Sequence, residues 1–429
     1  MIKDKLNICF DVTWMRSKNE FGGGFQYSEL LINALVKYTQ LNVNCLVGKG
    51  EDCIFEGLKQ YSNFKIFIYD DNPASFYRIA KREKFDLIHA PIQIYTSNFF
   101  SIPMVATIHD LQHYYFPQYF SKEEISCRKN YKTVAEASER IIVSYAHIKR
   151  DIIKYFDISS NKIDICPIGL DISHKIDVSR WPAIKKKYKL PQKYLLYCAN
   201  TWRHKNHLNL IRALKIVHKK YHLKISLICT GQKYHDYFPI IFKEIKKNKL
   251  AKFVKFLGYI PEEDKLLILN KATLAVIPTL YEAGSFPLIE AMSYGIPVIC
   301  SNVTSLPDQI GDNRYLFNPY SVEEIAAKIN LMLKDKKMRS ENILNSQKKC
   351  HQLRWHNTVW QFIECYKKSI DSFRKRNFSP IVNFKDWKEY IYKPYKESGY
   401  GLLGQIIRGI FYRIKKQILE EKNALTKRE

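Results

Sequence analysis

No run of about eighteen uncharged apolar residues occurs in this chain, so no helix of it reads as a membrane span. The opening residues, MIKDKLNICFDVTW, lead straight into a strand pattern, and their apolar run is too short for a secretory signal. No CxxC pair exists. Ten cysteines stand far apart, several inside apolar runs (Cys9, Cys229, Cys300), which reads as reduced, buried thiols of a cytosolic protein, not a disulfide framework or zinc site. Acidic residues are the scarce charged class, 42 Asp and Glu against 69 Lys and Arg, a formal charge of +27. Such a surface prefers phosphates: nucleic acid, an anionic membrane face or phosphorylated small molecules. A lysine-rich surface that is merely soluble accounts for the same number. Nucleic-acid binding rests on the charge alone, because no recognised nucleic-acid module is present.

What is present is length and order. At 429 residues and 46% hydrophobic, the chain suits two domains with sizeable cores. Strands are predicted at 6–12, 42–47, 64–69, 86–90, 104–109, 140–144 and 162–168, with helices between them at 25–39, 74–83 and 148–156. Near-continuous apolar strands alternating with helices argue for a parallel sheet covered on both faces. A basic, proline-containing passage at 179–193 interrupts the rhythm and is expected to link two domains. The same grammar then restarts, with strands at 194–199, 224–230, 253–259, 274–279 and 296–301. Helices are expected at 206–219, 236–248, 262–271, 286–294, 321–333 and 336–349. The predicted organisation is an α/β pair of Rossmann-like domains, 1–178 and 194–353, facing each other across a cleft. A long return helix at 354–376 heads back to the first domain. The tail 377–429, dense in Tyr, Trp and Lys, contains a stretch at 402–422 apolar on one face and basic on the other. It suits an anionic membrane surface or, equally, docking on the body of the protein.

Four stretches carry candidate chemistry. In YEAGSFPLIE (281–290), Glu282 lies in a turn after a strand, Ser285 is a good N-cap before Phe286 and Pro287, and Glu290 falls one turn into the helix. Free N–H groups at 286–288 would suit an anion, while the two carboxylates suit hydroxyl groups around it. Phosphates flanked by hydroxyl-rich rings describe a nucleotide-sugar. Taken alone, two helix-start carboxylates favoured by the macrodipole explain the same residues. In TIHDLQHYYFP (107–117), His109 ends a strand, where it can donate to a substrate oxygen or shuttle a proton. With His113 it has i, i+4 spacing but no third ligand, so a metal is rejected. Gly22, Gly23 and Gly24 follow the first strand and open a helix, the phosphate-loop position of an α/β fold, though not as GxGxxG. In CANTWRHKNHLNL (198–210), Arg203 and Lys205 sit in a strand-to-helix turn and can neutralise a diphosphate without a metal ion.

In this order the pieces resemble the retaining group 1 glycosyltransferases of family 4, which have the GT-B fold. The specific part is the Glu-x7-Glu run from Glu282 through SNVTSLPDQIGDN, supported by HDLQHYYFP, RIIVSYAHIKRDII, KIDICPIGLD, HKNHLNLIRAL and LGYIPEEDKLLILNKATLAVIPT; the likeness spans roughly residues 5–370. The resemblance implies that Glu290 holds the donor ribose and Glu282 lies near the transferred sugar, with amides at Gly284, Ser285 and Phe286 on its hydroxyls. Lys205 would bind the diphosphate, the Gly22–Gly24 loop would close over it, His109 would meet the donor sugar, and the backbone at Tyr259 and Ile260 would meet the base. Two departures stand out. Asn200 replaces the Arg that many relatives carry, with Arg203 as its substitute, and Ala283-Gly284-Ser285 replaces the usual Gly-Phe-Gly. The implied activity is transfer of a hexose with retention, on a front-face path, with Glu282 as covalent nucleophile the weaker option, without a metal or other cofactor. The donor favoured is GDP-mannose, with UDP-sugars second. The acceptor is expected to be a saccharide or lipid-linked saccharide in cell-surface polysaccharide synthesis. The setting expected is cytoplasmic, peripheral on the inner membrane face through 377–429, without nucleic acid as partner. A non-catalytic nucleotide-sugar-binding scaffold is the alternative.

Overall fold

A computed structural model describes residues 5–17, 22–70, 73–95, 102–170 and 176–375. The tail 377–429, with its expected membrane face, lies outside the described residues. The chain divides into two compact units. One gathers residues up to Val143, Lys149–Cys166 and Val359 onward; the other gathers Ser144–Ile148 and Pro167–Thr358.

The first unit holds β1 (Asn7–Asp11), β2 (Asn42–Gly48), β3 (Phe64–Tyr69), β4 (Leu87–Ala90), β5 (Met104–Thr107), β6 (Arg140–Val143) and β7 (Ile163–Ile165) in one sheet ordered β3-β2-β1-β4-β5-β6-β7. Every pairing is parallel. β4 and β5 are buried at every position, as expected of strands with helices on both faces. Phe10 of β1 stands opposite Cys45 of β2 and His89 of β4. The sheet is therefore built outward from β1 in both directions, which makes β1/β4 its topological switch point.

The second unit repeats the plan with β8 (Tyr194–Cys198), β9 (Ser226–Thr230), β10 (Val254–Phe256), β11 (Leu274–Ile277), β12 (Val298–Ser301) and β13 (Leu316–Phe317), ordered β10-β9-β8-β11-β12-β13. These pairings are again all parallel. Its switch point is β8/β11, so the loops that follow those two strands, 199–206 and 278–285, leave the sheet side by side.

The passage 179–193 is folded, not open. It forms a turn at Val178–Arg180 and a helix at Trp181–Lys187, with Ile184 and Leu190 in the second unit's core. Its charge has a partner. Asp264, 2% exposed, accepts from Lys187 Nζ and Tyr188 Oη at 2.7 Å each and from Arg180 Nη2 at 3.3 Å. The basic run expected to link two domains is thus clamped to the helix Glu262–Asn270. The long helix Trp355–Lys375 is present. In the first unit it places Tyr366 Oη 2.8 Å from His89 Nδ1, whose Nε2 lies 2.9 Å from Thr107 Oγ1.

Candidate functional site

In the second unit the turn after β11 is held from both sides. Leu280 N–H donates to the His204 carbonyl at 2.7 Å and Thr279 Oγ1 to the same oxygen at 3.0 Å, tying this turn to the one after β8. Glu282 N–H donates to Thr304 Oγ1, while Thr304 Oγ1 and Ser305 Oγ donate to the Glu282 carbonyl at 2.7 and 2.9 Å. With its backbone pinned, Glu282 directs Oε2 at Lys205 Nζ, 2.8 Å away, and the two side chains are only 13% and 15% exposed. Lys205 is fixed in turn. Its carbonyl accepts from Tyr197 Oη at 2.9 Å, and Asn206 takes a left-handed φ of 58° while its side chain donates to the carbonyls of Pro278 and Pro319 at 2.9 Å. Asn is among the few residues that adopt this conformation at small cost, so its place directly after Lys205 lets the turn close and aim the lysine.

Ser285 caps the helix Phe286–Ser293 as its sequence suggests, its Oγ accepting from Leu288 N–H at 3.3 Å. The anion site expected from N–H groups at 286–288 is largely closed. Pro287 has no N–H and Leu288 gives its own to the cap. The neighbouring Ser285 N–H is taken by Gln309 Oε1 at 2.9 Å. The amides of Gly284 and Phe286 remain for a ligand among the described residues. Gly284 is required for space: a Cβ there would stand 2.8 Å from Ile168 Cδ1 and 3.1 Å from Tyr145 Cε2.

One turn further, Glu290 is 8% exposed and pairs with Lys265 Nζ at 3.0 Å; the same ammonium meets Glu262 at 2.8 Å. Burial pushes the Glu290 carboxyl above the usual carboxylate range, with Lys265 pulling it back and Glu262 adding to the rise. Burial alone would depress the Lys265 ammonium, but the two glutamates hold it above the ordinary lysine value. The pair is therefore an ionised one sustained from within.

Arg203 is exposed, its guanidinium 5.3 Å from the centre of the Tyr237 ring. Asn200 Oδ1 accepts from Gln232 N–H at 2.8 Å, which ties the ends of β8 and β9. Tyr259 is 71% exposed after Gly258, whose φ is 78°. The Ile260 side chain is buried in the core, so only the backbone there can meet a ligand.

The first unit places its candidates around its own switch point. Gly22 caps the helix Gly23–Tyr38 without a side-chain bond, and a Cβ at Gly22 or Gly23 would meet nothing within 4 Å. Among the described residues no hydrogen bond uses the amides of Gly23 and Gly24. His109 lies just beyond β5, with Nε2 2.9 Å from the Pro91 carbonyl and its ring edge-on to Tyr27 at 4.7 Å. A carbonyl can only accept, so Nε2 carries the hydrogen. Burial lowers the ring's pKa, with the Pro91 bond and Asp110 opposing. The neutral form then offers Nδ1 as an acceptor. In this tautomer Nδ1 can accept from a hydroxyl, whereas donation from Nε2 to a substrate oxygen would require leaving the Pro91 carbonyl. His113 is buried apart from this role, against Tyr114 and Tyr131. The helix here spans only Gln112–Tyr115, so the i, i+4 spacing from His109 does not place the two rings on one face.

The structure thus brings Lys205 together with Glu282, and Glu290 with a partner that sequence reasoning missed. Lys265 was legible only as the lone cation in the helix opening PEEDK, and Gln309 gave no local signal.

A sequence model described as Glycosyl transferases group 1 matches residues 180–349, and one described as Glycosyltransferase Family 4 matches residues 56–174. The O-antigen chain mannosyltransferase B of Escherichia coli is 28% identical over 270 residues, 61% of this chain and 70% of the relative. Sucrose-phosphate synthase from Thermosynechococcus elongatus is similar in structure, with a TM-score of 0.68 at 17% identity over 86% of this chain and 100% of that one. Anabaena HepE in complex with UDP and glucose gives a TM-score of 0.65 at 18% identity over 84% and 99%. These likenesses establish the GT-B fold.

Proposed function

The chain belongs to the group 1 glycosyltransferases of family 4, and from that premise we propose that it moves a hexose, with retention, from a nucleoside-diphosphate sugar to a saccharide or lipid-linked acceptor of cell-surface polysaccharide. The observation that carries this is the two carboxylate–lysine pairs, Glu282–Lys205 and Glu290–Lys265, on elements around the second unit's switch point. Glu290 accepts the two ribose hydroxyls. Lys205, with Arg203 nearby, takes the diphosphate, and the amides of Gly284 and Phe286 meet the sugar hydroxyls. In the first unit, the helix start at Gly22–Gly24 offers N–H groups that suit an anion, and His109 Nδ1 offers an acceptor to a hydroxyl. Leaving-group departure needs charge stabilised on the diphosphate, and these cations and amides supply it by preorganisation, so no metal ion is needed. The open amide of Gly284 and the pinned Glu282 backbone favour a front-face path in which the departing diphosphate deprotonates the acceptor hydroxyl.

The mannosyltransferase relative favours GDP-mannose, and the UDP-bound neighbour keeps UDP-sugars second. No described helix is long and apolar enough to cross a membrane, and association with the inner membrane face is assigned to 377–429. The test is a melting-temperature panel with GDP, UDP, ADP, dTDP and their sugars, followed by transfer to a lipid-linked saccharide in EDTA. One nucleotide-sugar should raise the melting temperature by mass action and be turned over with its anomeric configuration kept. Binding without hydrolysis or transfer would identify a scaffold. Loss of activity in EDTA, restored by a divalent ion, would refute the metal-free route.

A further inference from the structure

Glu290 and its surroundings carry one more assignment. A carboxylate that accepts two ribose hydroxyls must be ionised, since a carboxylic acid has given one acceptor position to a proton. Yet Glu290 sits where burial favours the neutral acid. The titratable groups that face it are few: Lys265 and Glu262 from the helix Glu262–Asn270, the Cys198 thiol at the end of β8, and Tyr294 just past its own helix. Among them Lys265 is the sole cation, with Nζ 3.0 Å from Oε1. Glu262, at 2.8 Å from the same ammonium, tethers it. Lys265 spends its bond on one oxygen, leaving Oε2 and the second lone pair of Oε1 for a ligand.

We infer that Lys265 is a positioning residue for the nucleoside, which holds Glu290 in its ionised form and in the orientation that receives a ribose cis-diol. The inference rests on Glu290 being the ribose acceptor in the proposed function. Lys265 belongs to no stretch singled out for chemistry in the sequence, and its action is indirect, so it is not a catalytic residue.

The experiment measures binding of GDP and UDP and of their 2′,3′-dideoxy counterparts to the full chain, wild type and Lys265→Met, between pH 5.5 and 8.5. Wild type should bind the ribonucleotide at least about tenfold more tightly than the dideoxy form across this range. In Lys265→Met that ratio should collapse toward one at neutral pH and return as the pH rises, because Glu290 now ionises only at higher pH. Lys265→Arg should restore the ratio, and Lys265→Gln, which keeps a neutral donor, should serve in place of Met if the latter is unfolded. A Lys265→Met protein that keeps the wild-type ratio and pH profile overturns the inference while leaving Glu290 in place. A wild type that does not discriminate ribo from dideoxy overturns the ribose assignment itself, and the role of Lys265 with it.

Discussion

Glu282→Gln should bind nucleoside diphosphate more tightly than the wild type while losing transfer. Glu282 bonds the Lys205 ammonium at 2.8 Å, the cation that the proposed function gives to the diphosphate. Two acceptors bonded to one tetrahedral ammonium at that distance stand roughly 4.6 Å apart, so a bound phosphate oxygen would face the carboxylate across the lysine. With an effective dielectric constant of about 40 for a pair this little exposed, the repulsion comes to about 1.8 kcal/mol. The amide of Gln removes it and preserves the shape, so the dissociation constant of GDP or UDP should fall about twentyfold. Screening at physiological salt trims the gain only slightly, because both groups are mostly buried. Turnover should move the other way, by about a hundredfold or more, since the proposed function sets Glu282 beside the transferred sugar, where its charge would stabilise the positive charge that develops. Titration calorimetry on wild type and variant reads the affinity, and radiolabelled sugar transfer reads the rate. Equal or weaker nucleotide binding by Glu282→Gln would refute the placing of the diphosphate on Lys205.

Three further substitutions test the frame around the site. Gly169→Ala should cost about 3 kcal/mol in urea unfolding, because its Cβ would lie 2.4 Å from Cδ2 of the buried Trp355 and 2.7 Å from Thr358 Oγ1; an unchanged midpoint would show that the packing there yields. Asn206→Ala loses two buried hydrogen bonds and keeps a left-handed φ that Ala tolerates poorly, together about 3 kcal/mol. Faster amide exchange at Leu280 should accompany it, since the turn it braces receives that bond. His207 stands between Tyr197 and Phe256, neither ring nitrogen having a partner among the described residues, and burial with Lys205 nearby pushes its pKa down to about 3. Its unfolded form takes up a proton below about 6.5 that the folded form refuses, so stability drains away as the pH falls from there. His207→Phe should recover about 2 kcal/mol at pH 5 beyond any gain at pH 8, and a variant whose stability difference ignores pH would show the ring protonated in the fold.

How far the molecule could be read from its residues follows from what each feature depends on. Strands print themselves as apolar runs, so β1–β6 and β8–β12 lie where those runs are, even β3 and β10, which stand at sheet edges and are only partly buried. β13, two residues long, leaves no such print, and β7 stops at Ile165, before Pro167. Helix starts at 286, 322 and 336 follow local capping by Ser285, Ser321 and Asp335. The capping box at Ser121–Glu124 was equally local, yet the helix Lys122–Arg128 it opens is too short to show a period. The acids of the site were legible from their spacing around a capped turn. Their pairing with lysines was not, because Lys205 lies 77 residues from Glu282 and Lys265 lies 25 from Glu290; Lys205 stood out by its strand-to-helix turn but not as the partner of Glu282. The same holds for Gln309, which reaches back 24 residues to the Ser285 amide. This changes the logic of the turn. Two carboxylates beside an anion site looked self-defeating when only the turn was considered. Each in fact pairs with an ammonium, Glu282 with Lys205, and Glu290 with Lys265, which it shares with Glu262, so only the first pair cancels locally. A diphosphate must then share Lys205 with Glu282, whereas a ribose can add to Glu290 without displacing Lys265. Nucleoside recognition and phosphate recognition should therefore respond separately to mutation, the first through Lys265 and the second through Glu282.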